Sequence, residues 1–287
     1  NKDYVNLNLS HLDPAVIHER LPGIAESAQV FANVDVTREP IPTQPTVHYN
    51  MGGIPTNIHG EVVTLKDGNP DTVVPGLMAI GEAACVSVHG ANRLGSNSLL
   101  DIIVFGRAAA QRCAEIIKPG SAHKDLPKDA GALALSRLDK VLNAKGKTST
   151  AELRLEMQHT MQTDCPVYRS GPAMEDGAKK LADIWARRDD IKVTDKSLIW
   201  NSDLVETLEF YNLLEQATVT LHCALNRPES RGAHTRDDKP DRDDKNWMKH
   251  SIAWLGEDGK PKIDYRPVHM DTDIEGVESI PPKTRVY

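Results

Sequence analysis

The 287-residue chain lacks three features, and each absence excludes a class of protein. It has no basic excess: its formal net charge is −7, whereas nucleic acid as the main partner would require a surplus of cations. No apolar stretch approaches the ~20 residues that cross a bilayer, so any membrane association must come through a partner. The four cysteines are far apart and form no CxxC pair, which argues against a local zinc or iron–sulfur site and favours a reducing compartment.

The composition is that of a soluble globular protein, with 39% hydrophobic and 26% charged residues, and the length suits one large or two ordinary domains. The chain begins at Asn1 without a methionine or a signal or transit pattern, and a strand-like alternation is already under way at Val5 and Leu7. The start is therefore predicted to lie inside a larger fold. The stretch Ile280–Tyr287 is predicted to be a true terminus.

The hydrophobic pattern predicts a mixed α/β first part. After a short strand, helical pieces are expected behind Asp13-Pro14 and around residues 25–31, followed by strands at 46–50 and 61–65. The nearly unbroken apolar run Val73–Ile80 predicts a strand that is buried on both faces.

The second part of the chain is predicted to be largely helical. Helices are expected at about 97–117, 127–143, 149–163, 173–188 and 202–226. Ser149 and Glu152 predict a capping box at the start of the third of these, because each side chain can satisfy a free backbone N–H. The dense polar run 227–250 predicts a solvated loop, and the alternation around 256–260 predicts a hairpin.

The stretch from Gly81 to Asp101 carries the most chemical information. An apolar run ends in the carboxylate Glu82, a loop of small residues carries one cation, Arg93, and a helix opens at Ser98 as its N-cap. A strand-end carboxylate can bind ribose or ribityl hydroxyls, an arginine fork matches a carboxylate in two hydrogen bonds, and a helix start favours negative charge. This order suits a site where a hydroxylated cofactor meets an anionic substrate.

Each candidate residue also has an ordinary structural explanation. Glu82 can cap a helix or a loop, and an arginine such as Arg93 usually forms a surface ion pair, although its own loop offers no acidic neighbour. His48 precedes the paired glycines Gly52-Gly53, which permit positive φ or a close approach of the backbone to a ligand. Because a lone strand histidine is usually structural, His48 is a site candidate only through this context.

Four segments of the chain carry a family resemblance. They are His48-Tyr-Asn-Met-Gly-Gly-Ile-Pro-Thr, Pro75-Gly-Leu-Met-Ala-Ile-Gly-Glu-Ala-Ala, His89-Gly-Ala-Asn-Arg-Leu-Gly-Ser-Asn-Ser-Leu-Leu-Asp and Glu229-Ser-Arg-Gly-Ala-His-Thr-Arg-Asp-Asp. Together they resemble the flavoprotein subunits of succinate dehydrogenase and fumarate reductase. The resemblance runs from about residue 1 to Tyr287 and covers the C-terminal half of that family's length. It implies an α/β flavoprotein half with FAD as its cofactor.

The resemblance implies a dicarboxylate site. Residue by residue, His48 and Arg93 match two of the groups that clamp the substrate, and Ser96 matches a position whose backbone meets it. Succinate carries two carboxylates and therefore needs cationic or N–H partners at both ends. The Gly-rich dinucleotide fingerprint, the histidine bonded to the flavin and the proton-shuttling arginine all lie upstream in the family. No catalytic residue is therefore expected in this chain, and Arg20, which lies in a different family segment, is not assigned.

The resemblance also implies the flavin contacts. Glu82 matches the ligand of the ribityl chain, and Ser98 with Leu99 match backbone contacts to the isoalloxazine edge. A reduced flavin gains negative charge at its N1/O2 edge, where a helix start is stabilising. The implied reaction is succinate + FAD → fumarate + FADH2, with electrons leaving through an iron–sulfur subunit to quinone.

Four domain portions are implied. They are the C-terminal part of a capping domain at 1–47, the returning part of a FAD-binding domain at 48–118, an all-α helical domain at 119–235 and a small C-terminal α+β domain at 236–287. The expected partners are an N-terminal half, in the same or a separate chain, an iron–sulfur subunit and, indirectly, membrane-anchor subunits. The expected location is peripheral, on the matrix side of the mitochondrial inner membrane or the cytoplasmic face of a bacterial membrane.

Two alternatives are weighed against this interpretation. Fumarate reductase and L-aspartate oxidase belong to the same superfamily, and the latter shares the His-Gly-Ala-Asn-Arg-Leu motif. The charged run Arg236–His250 with Trp247 favours the succinate or fumarate type. The other alternative is a non-catalytic structural subunit of the complex, against which the intact His48, Glu82 and Arg93 argue.

Overall fold

The computed structural model describes residues 4–44, 48–122, 124–272 and 274–283, and the chain divides into two units, residues 1–50 and residues 51–287. The first unit holds two short helices between two paired strands. In chain order its elements are β1 (Val5–Leu7), α1 (Pro14–Arg20), α2 (Pro22–Ser27), which continues into the π-helical turn Ala28–Ala32, and β2 (Ile41–Thr43). Strands β1 and β2 pair antiparallel.

Local sequence signals explain the helices of the first unit. The Asp13 carboxylate accepts a hydrogen bond from Ala15 N at 2.8 Å, and Pro14 occupies the first helical position, so α1 begins where the Asp13-Pro14 pair predicts it. Ile17 is fully buried at the centre of this unit. The strand expected at 46–50 falls partly outside the described residues, and 48–50 form no strand because no described strand pairs with them.

The second unit begins with short strands and continues with helices. Its first elements are β3 (Ile54–Pro55), β4 (Glu61–Lys66), β5 (Asn69–Met78), the 3-10 turn Gly81–Ala83, β6 (Ala84–Cys85) and α3 (Asn97–Ile116). Its later elements are α4 (Ala132–Leu142), α5 (Thr150–Asp164), β7 (Tyr168–Arg169), α6 (Gly171–Arg187), α7 (Ser202–Asn226), β8 (Thr235–Arg236), α8 (Asp244–Trp247), β9 (Lys249–Leu255) and β10 (Pro261–Pro267). Among the described residues, no helix has both the length and the apolar character needed to cross a membrane.

The apolar run Val73–Ile80 is not buried on both faces, so that prediction is wrong. It forms most of β5, which pairs antiparallel with β4 in a two-stranded sheet. Asp67 and Gly68, both at positive φ, turn the chain between the two strands. A strand is buried on both faces only where layers cover both sides of its sheet, and in this hairpin the side chain of Leu77 is 51% exposed.

The predicted helices are confirmed, with shifts at several ends. Helix α5 begins at the expected capping box: Ser149 Oγ accepts a hydrogen bond from Glu152 N at 3.2 Å, and the Glu152 carboxylate accepts one from Ser149 N at 2.9 Å. Helix α7 has the predicted bounds, whereas α4 starts at Ala132 rather than at 127.

Helices α5, α6 and α7 enclose the main core of the second unit. The largest fully buried side chains of this cluster include Leu153, Met174, Leu181, Phe210 and Leu221. Each such side chain contributes about 1.5–3 kcal/mol when it leaves water. The expected hairpin is present as β9 and β10, and it packs against α7.

The polar run 227–250 is a folded segment rather than a solvated loop, so that prediction is also wrong. Strand β8 pairs in parallel with β7, and α8 follows within the same run. The side chain of Glu229 is 0% exposed and that of Arg236 only 4%. Composition records how many charges a segment has but not how they pair: Arg236 and Asp238 form an ion pair at 2.7 Å.

Candidate functional site

The motif 81–101 forms a turn, a loop and a helix start within the second unit. Glu82 lies in the 3-10 turn that follows β5, and its side chain is on the surface. Arg93 is half-buried in the loop, and Ser96 directly precedes α3. The predicted succession of carboxylate, cation and helix start is therefore present in the folded chain.

The helix start differs in detail from the prediction. Ser96, not Ser98, is the N-cap of α3, and it has the left-handed φ of 69° without a side-chain hydrogen bond to the helix. A capping side chain normally reaches the helix N–H groups from extended backbone, and this φ does not provide that geometry. Ser98 Oγ, in the first turn of α3, is buried and has no hydrogen-bond partner among the described residues. A buried hydroxyl of this kind can be satisfied by a ligand.

The paired glycines bring two backbone segments together beside Glu82. Gly52 and Gly53 have φ of 104° and 120°, which confirms the expected positive φ. Strand β3, directly after them, pairs in parallel with β6. A Cβ atom at Gly53 would lie 2.7 Å from the Ala83 carbonyl oxygen, so only glycine permits this approach.

Two contacts hold the loop that carries Arg93, one within the motif 81–101 and one to Met51. His89 Nε2 lies 2.9 Å from Asp101 Oδ2, and both side chains are almost completely buried, which ties the beginning of the loop to α3. Arg93 N donates a hydrogen bond to Met51 Sδ at 3.3 Å, beside the paired glycines. The loop is therefore attached at both ends.

Two further contacts come from the C-terminal part of the chain. Ser87 Oγ lies 3.1 Å from His250 Nε2 in β9, and Ala233 N donates to the Ala91 carbonyl oxygen at 2.8 Å. Burial, helped by the positive charges of Arg266 and other neighbours, lowers the pKa of His250, so the imidazole is neutral at pH 7. Sequence reasoning did not find these anchors, since only the fold brings residues so far apart in sequence together.

The six candidate residues are divided between the two units. His48 belongs to the first unit, where it is exposed and lies in irregular backbone. The other five belong to the second unit and are Glu82, Arg93, Ser96, Ser98 and Leu99.

The residues of the second unit fit a flavin with a hydroxylated chain. A Cβ atom at Gly81 would lie 3.2 Å from Ile102 Cγ2. The turn that carries the surface carboxylate Glu82 therefore packs against α3. In the first turn of this helix, the Ser98 hydroxyl has no hydrogen-bond partner among the described residues, and Leu99 is 61% exposed. The hydroxyl groups of such a cofactor would meet the Glu82 carboxylate, its electron-rich edge would meet the start of α3, and its apolar ring would meet Leu99.

Two family models match this chain. The model described as FAD binding domain matches residues 1–99, and the model described as fumarate reductase flavoprotein C-term matches residues 154–287. The mitochondrial succinate dehydrogenase [ubiquinone] flavoprotein subunit of Oryza sativa subsp. japonica is 59% identical over 286 residues, which cover 100% of this chain. The chain belongs to the succinate dehydrogenase and fumarate reductase flavoprotein family. FAD is the cofactor of this family, as the resemblance of the four segments implies.

Other members of the family agree with this assignment. The succinate dehydrogenase flavoprotein subunit of Rickettsia bellii is 58% identical over 100% of this chain. A solved Escherichia coli quinol fumarate reductase matches 96% of the chain with a TM-score of 0.83 and 37% sequence identity. The chain spans just under half the length of these relatives, with 45% of the rice protein, 48% of the Rickettsia protein and 46% of the solved chain covered. The mixed α/β fold class is confirmed.

Proposed function

We propose that the flavoprotein containing this chain oxidises succinate to fumarate with FAD. The observation that carries this proposal is the continuous structure formed by Glu82, Arg93 and the start of α3, which places a carboxylate, a cation and helix N–H groups in succession. The names of these relatives, at up to 59% identity over the whole chain, support succinate as the substrate.

The residues of this chain bind and orient the substrate. The Arg93 guanidinium donates two parallel hydrogen bonds to one carboxylate of succinate, and its half-buried position strengthens this charge-assisted pair. By resemblance, His48 and the backbone at Ser96 contribute further contacts to the dicarboxylate. No residue of this chain takes the substrate proton, because the matching arginine lies upstream in the family.

The helix start and Glu82 orient the cofactor. By resemblance, the Glu82 carboxylate would accept hydrogen bonds from the ribityl hydroxyls of FAD, and the backbone at Ser98 and Leu99 would hold the isoalloxazine edge. When bound, FAD supplies the acceptor for the hydride that leaves succinate. The positive end of α3 would stabilise negative charge on this edge by about 0.3–1 kcal/mol, and by more where the site is dry.

We further propose the domain division 1–47, 48–118, 119–235 and 236–287. The division of the backbone after residue 50 supports the first boundary. The partners would be an N-terminal flavoprotein half and an iron–sulfur subunit, with membrane-anchor subunits reached indirectly. Mitochondrial and bacterial relatives support a peripheral location at a respiratory membrane, on the matrix or cytoplasmic side.

Succinate-dependent dye reduction by the native flavoprotein, with and without malonate, tests the proposal. Arg93→Lys should keep the fold but lose most of the activity, since lysine keeps the charge and loses the planar fork. Weakening a desolvated charge pair costs ~2–5 kcal/mol, or about 30- to 4,000-fold in kcat/KM. The matched control is Arg137→Lys on the exposed face of α4, which should behave as the wild type.

Three results would contradict parts of this proposal. Unchanged kcat/KM and unchanged malonate inhibition in Arg93→Lys would remove Arg93 from the site. A wild-type flavoprotein that carries FAD but reduces no dye with succinate would support the non-catalytic subunit. Faster fumarate reduction than succinate oxidation, measured with a reduced dye, would favour the fumarate reductase alternative, which the E. coli structure represents.

A further inference from the structure

We propose that the turn Arg231–His234 positions Arg93 for the dicarboxylate, with Gly232 as the positioning residue at the point of contact. This inference rests on the proposed succinate oxidation. It gives a role to the segment 229–238, which is far from Arg93 in sequence and has no assigned part in the reaction.

The contact between the turn and the Arg93 loop is made by backbone against backbone. Ala233 N donates a hydrogen bond to the Ala91 carbonyl oxygen at 2.8 Å. Gly232 has φ of +60°, and a Cβ atom there would lie 2.5 Å from the Ala91 carbonyl carbon and closer still to its oxygen. Real Cβ atoms essentially never come within 3.0 Å of such neighbours. Any other residue at position 232 must therefore push Ala91 away or move the turn.

The turn itself is held firmly at its base. Arg231 N donates to the His234 carbonyl oxygen at 2.8 Å, and His234 N donates back to Arg231 O at 3.1 Å. The Arg231 guanidinium binds both carboxylate oxygens of Glu229, at 2.8 and 3.0 Å, and Asp244 Oδ1 at 2.8 Å. Because the Glu229 side chain is 0% exposed, this ion pair is protected from solvent and resists displacement of the turn.

His234 attaches the far end of the turn. Its Nε2 lies 3.0 Å from the Arg227 carbonyl oxygen and therefore donates the hydrogen, which leaves Nδ1 to accept from Arg169 Nη1 at 2.8 Å. Burial and the positive charges of Arg169, Arg236 and Arg227 lower the pKa of His234 and keep this neutral tautomer. Both ends of the turn are thus fixed, and the strain of an added Cβ would fall on Ala91.

A shift of Ala91 would reach Arg93, which follows it after one intervening residue. Arg93 N is held by Met51 Sδ at 3.3 Å, and His89 is held by Asp101 at 2.9 Å. The loop cannot move as a whole without breaking these contacts, so a displaced Ala91 changes the backbone direction directly before Arg93. A misplacement of 1 Å in a substrate clamp costs about 100-fold.

The test uses the FAD-loaded flavoprotein that contains this chain and compares Gly232→Ala with the wild type. The KM for succinate and the inhibition constant of malonate should both rise by about tenfold or more. Gly68→Ala is the matched control, because Gly68 has φ of +79° and a Cβ there meets nothing within 4 Å in the described part of the chain. It carries the same backbone strain without the contact, so both constants should stay within about twofold of the wild type.

A merely structural role would give a different pattern. It would lower the amount of FAD-containing enzyme, and hence Vmax, while the KM and the malonate constant of the surviving enzyme stayed at wild-type values. That result overturns the proposal. If the wild type is active and Gly232→Ala has the same KM and malonate constant, this inference alone fails. If the wild type carries FAD but binds no dicarboxylate, the proposed function fails as well.

A second variant serves if Gly232→Ala does not accumulate. Arg231→Lys keeps the charge and adds no atom at the Ala91 contact, but it loses the two-bond fork to Glu229. The turn then loosens, and both constants should rise by about threefold or more, since partial misplacement costs less than the full 1 Å. Unchanged constants in folded Arg231→Lys would refute the positioning role.

Discussion

Glu229→Gln should destabilise the second unit, because this carboxylate is completely buried among hydrogen-bond donors. Arg227 Nη1 donates to Oε1 at 2.7 Å, as does Arg231 Nε at 2.8 Å. Arg231 Nη2 and the backbone N–H of Asp243 donate to Oε2 at 3.0 and 2.8 Å. Glutamine has the same shape, so the substitution changes charge and hydrogen bonding without leaving a cavity.

The magnitude follows from what the amide can replace. Its oxygen can keep one pair of donors, but its NH2 group then faces the other pair, so two hydrogen bonds are lost. A hydrogen bond to a charged group contributes about 1.5–3 kcal/mol, and breaking a buried ion pair by removing one partner costs about 3–5 kcal/mol. We therefore expect a loss of about 3–5 kcal/mol, which lowers the Tm of a unit of this size by roughly 6–20 °C.

The pH dependence provides a second signature. Burial raises the pKa of Glu229, but the hydrogen bonds from Arg231, Asp243 N and Arg227 outweigh it and hold the pKa below its ordinary value. A carboxyl with a lowered folded pKa stabilises the fold above its unfolded pKa and loses that contribution as pH falls through the folded pKa. The Tm difference between wild type and Glu229→Gln should therefore have its full size at pH 7. It should shrink below the unfolded pKa of a glutamate, about 4.3.

The assay is thermal unfolding of the FAD-loaded flavoprotein, followed at pH 7 and at lower pH. Glu175→Gln is the control, since this glutamate lies exposed on α6 and its replacement should stay within about 0.5 kcal/mol of the wild type. If Glu229→Gln has the same Tm as the Glu175→Gln control at pH 7, the reasoning is refuted. A Tm difference that grows as the pH falls would contradict the assigned direction of the pKa.

Two further predictions concern the helical core and the first unit. Gly177→Ala should lower Tm, because its Cβ would lie 2.7 Å from Asp164 Cβ and 2.8 Å from Leu221 Cδ1. The cost of overpacking, about 1–3 kcal/mol, exceeds the helix-propensity gain of about 1 kcal/mol. The control Gly106→Ala, whose Cβ would meet its nearest neighbour at an ordinary 3.6 Å, should not lower Tm. His48→Ala should raise the inhibition constant of malonate without changing Tm, and equal malonate binding in both proteins would assign His48 a structural role.

Local features of this chain could be predicted from its sequence. The capping box at Ser149 and the bounds of α7 are set by residues within a turn or two of each other, so the pattern contains the whole signal. The same holds for the order of Glu82, Arg93 and the start of α3. The shift of the N-cap to Ser96 shows the limit, since the left-handed φ of 69° has no sequence signal at a serine.

Features that depend on distant partners could not be predicted. The run Val73–Ile80 has the composition of a doubly covered strand, but its burial is decided by what packs on the sheet, which composition does not encode. The anchors of the Arg93 loop are of the same kind. No local sequence pattern relates His250 to Ser87 or Ala233 to Ala91, and only the folded chain brings each pair together.

The charged run 227–250 shows why a count of charges misjudges a segment. A buried ion pair stabilises little compared with apolar packing, but losing one partner costs several kcal/mol because the other charge stays desolvated. Arg227, Glu229, Arg231 and Asp244 alternate in sign along a connected set of ion pairs, so the fold that satisfies one of them constrains the rest. We infer that this network specifies the geometry of the segment more than it stabilises the segment. That property suits a segment whose turn must hold backbone at Ala91 to within a fraction of an ångström.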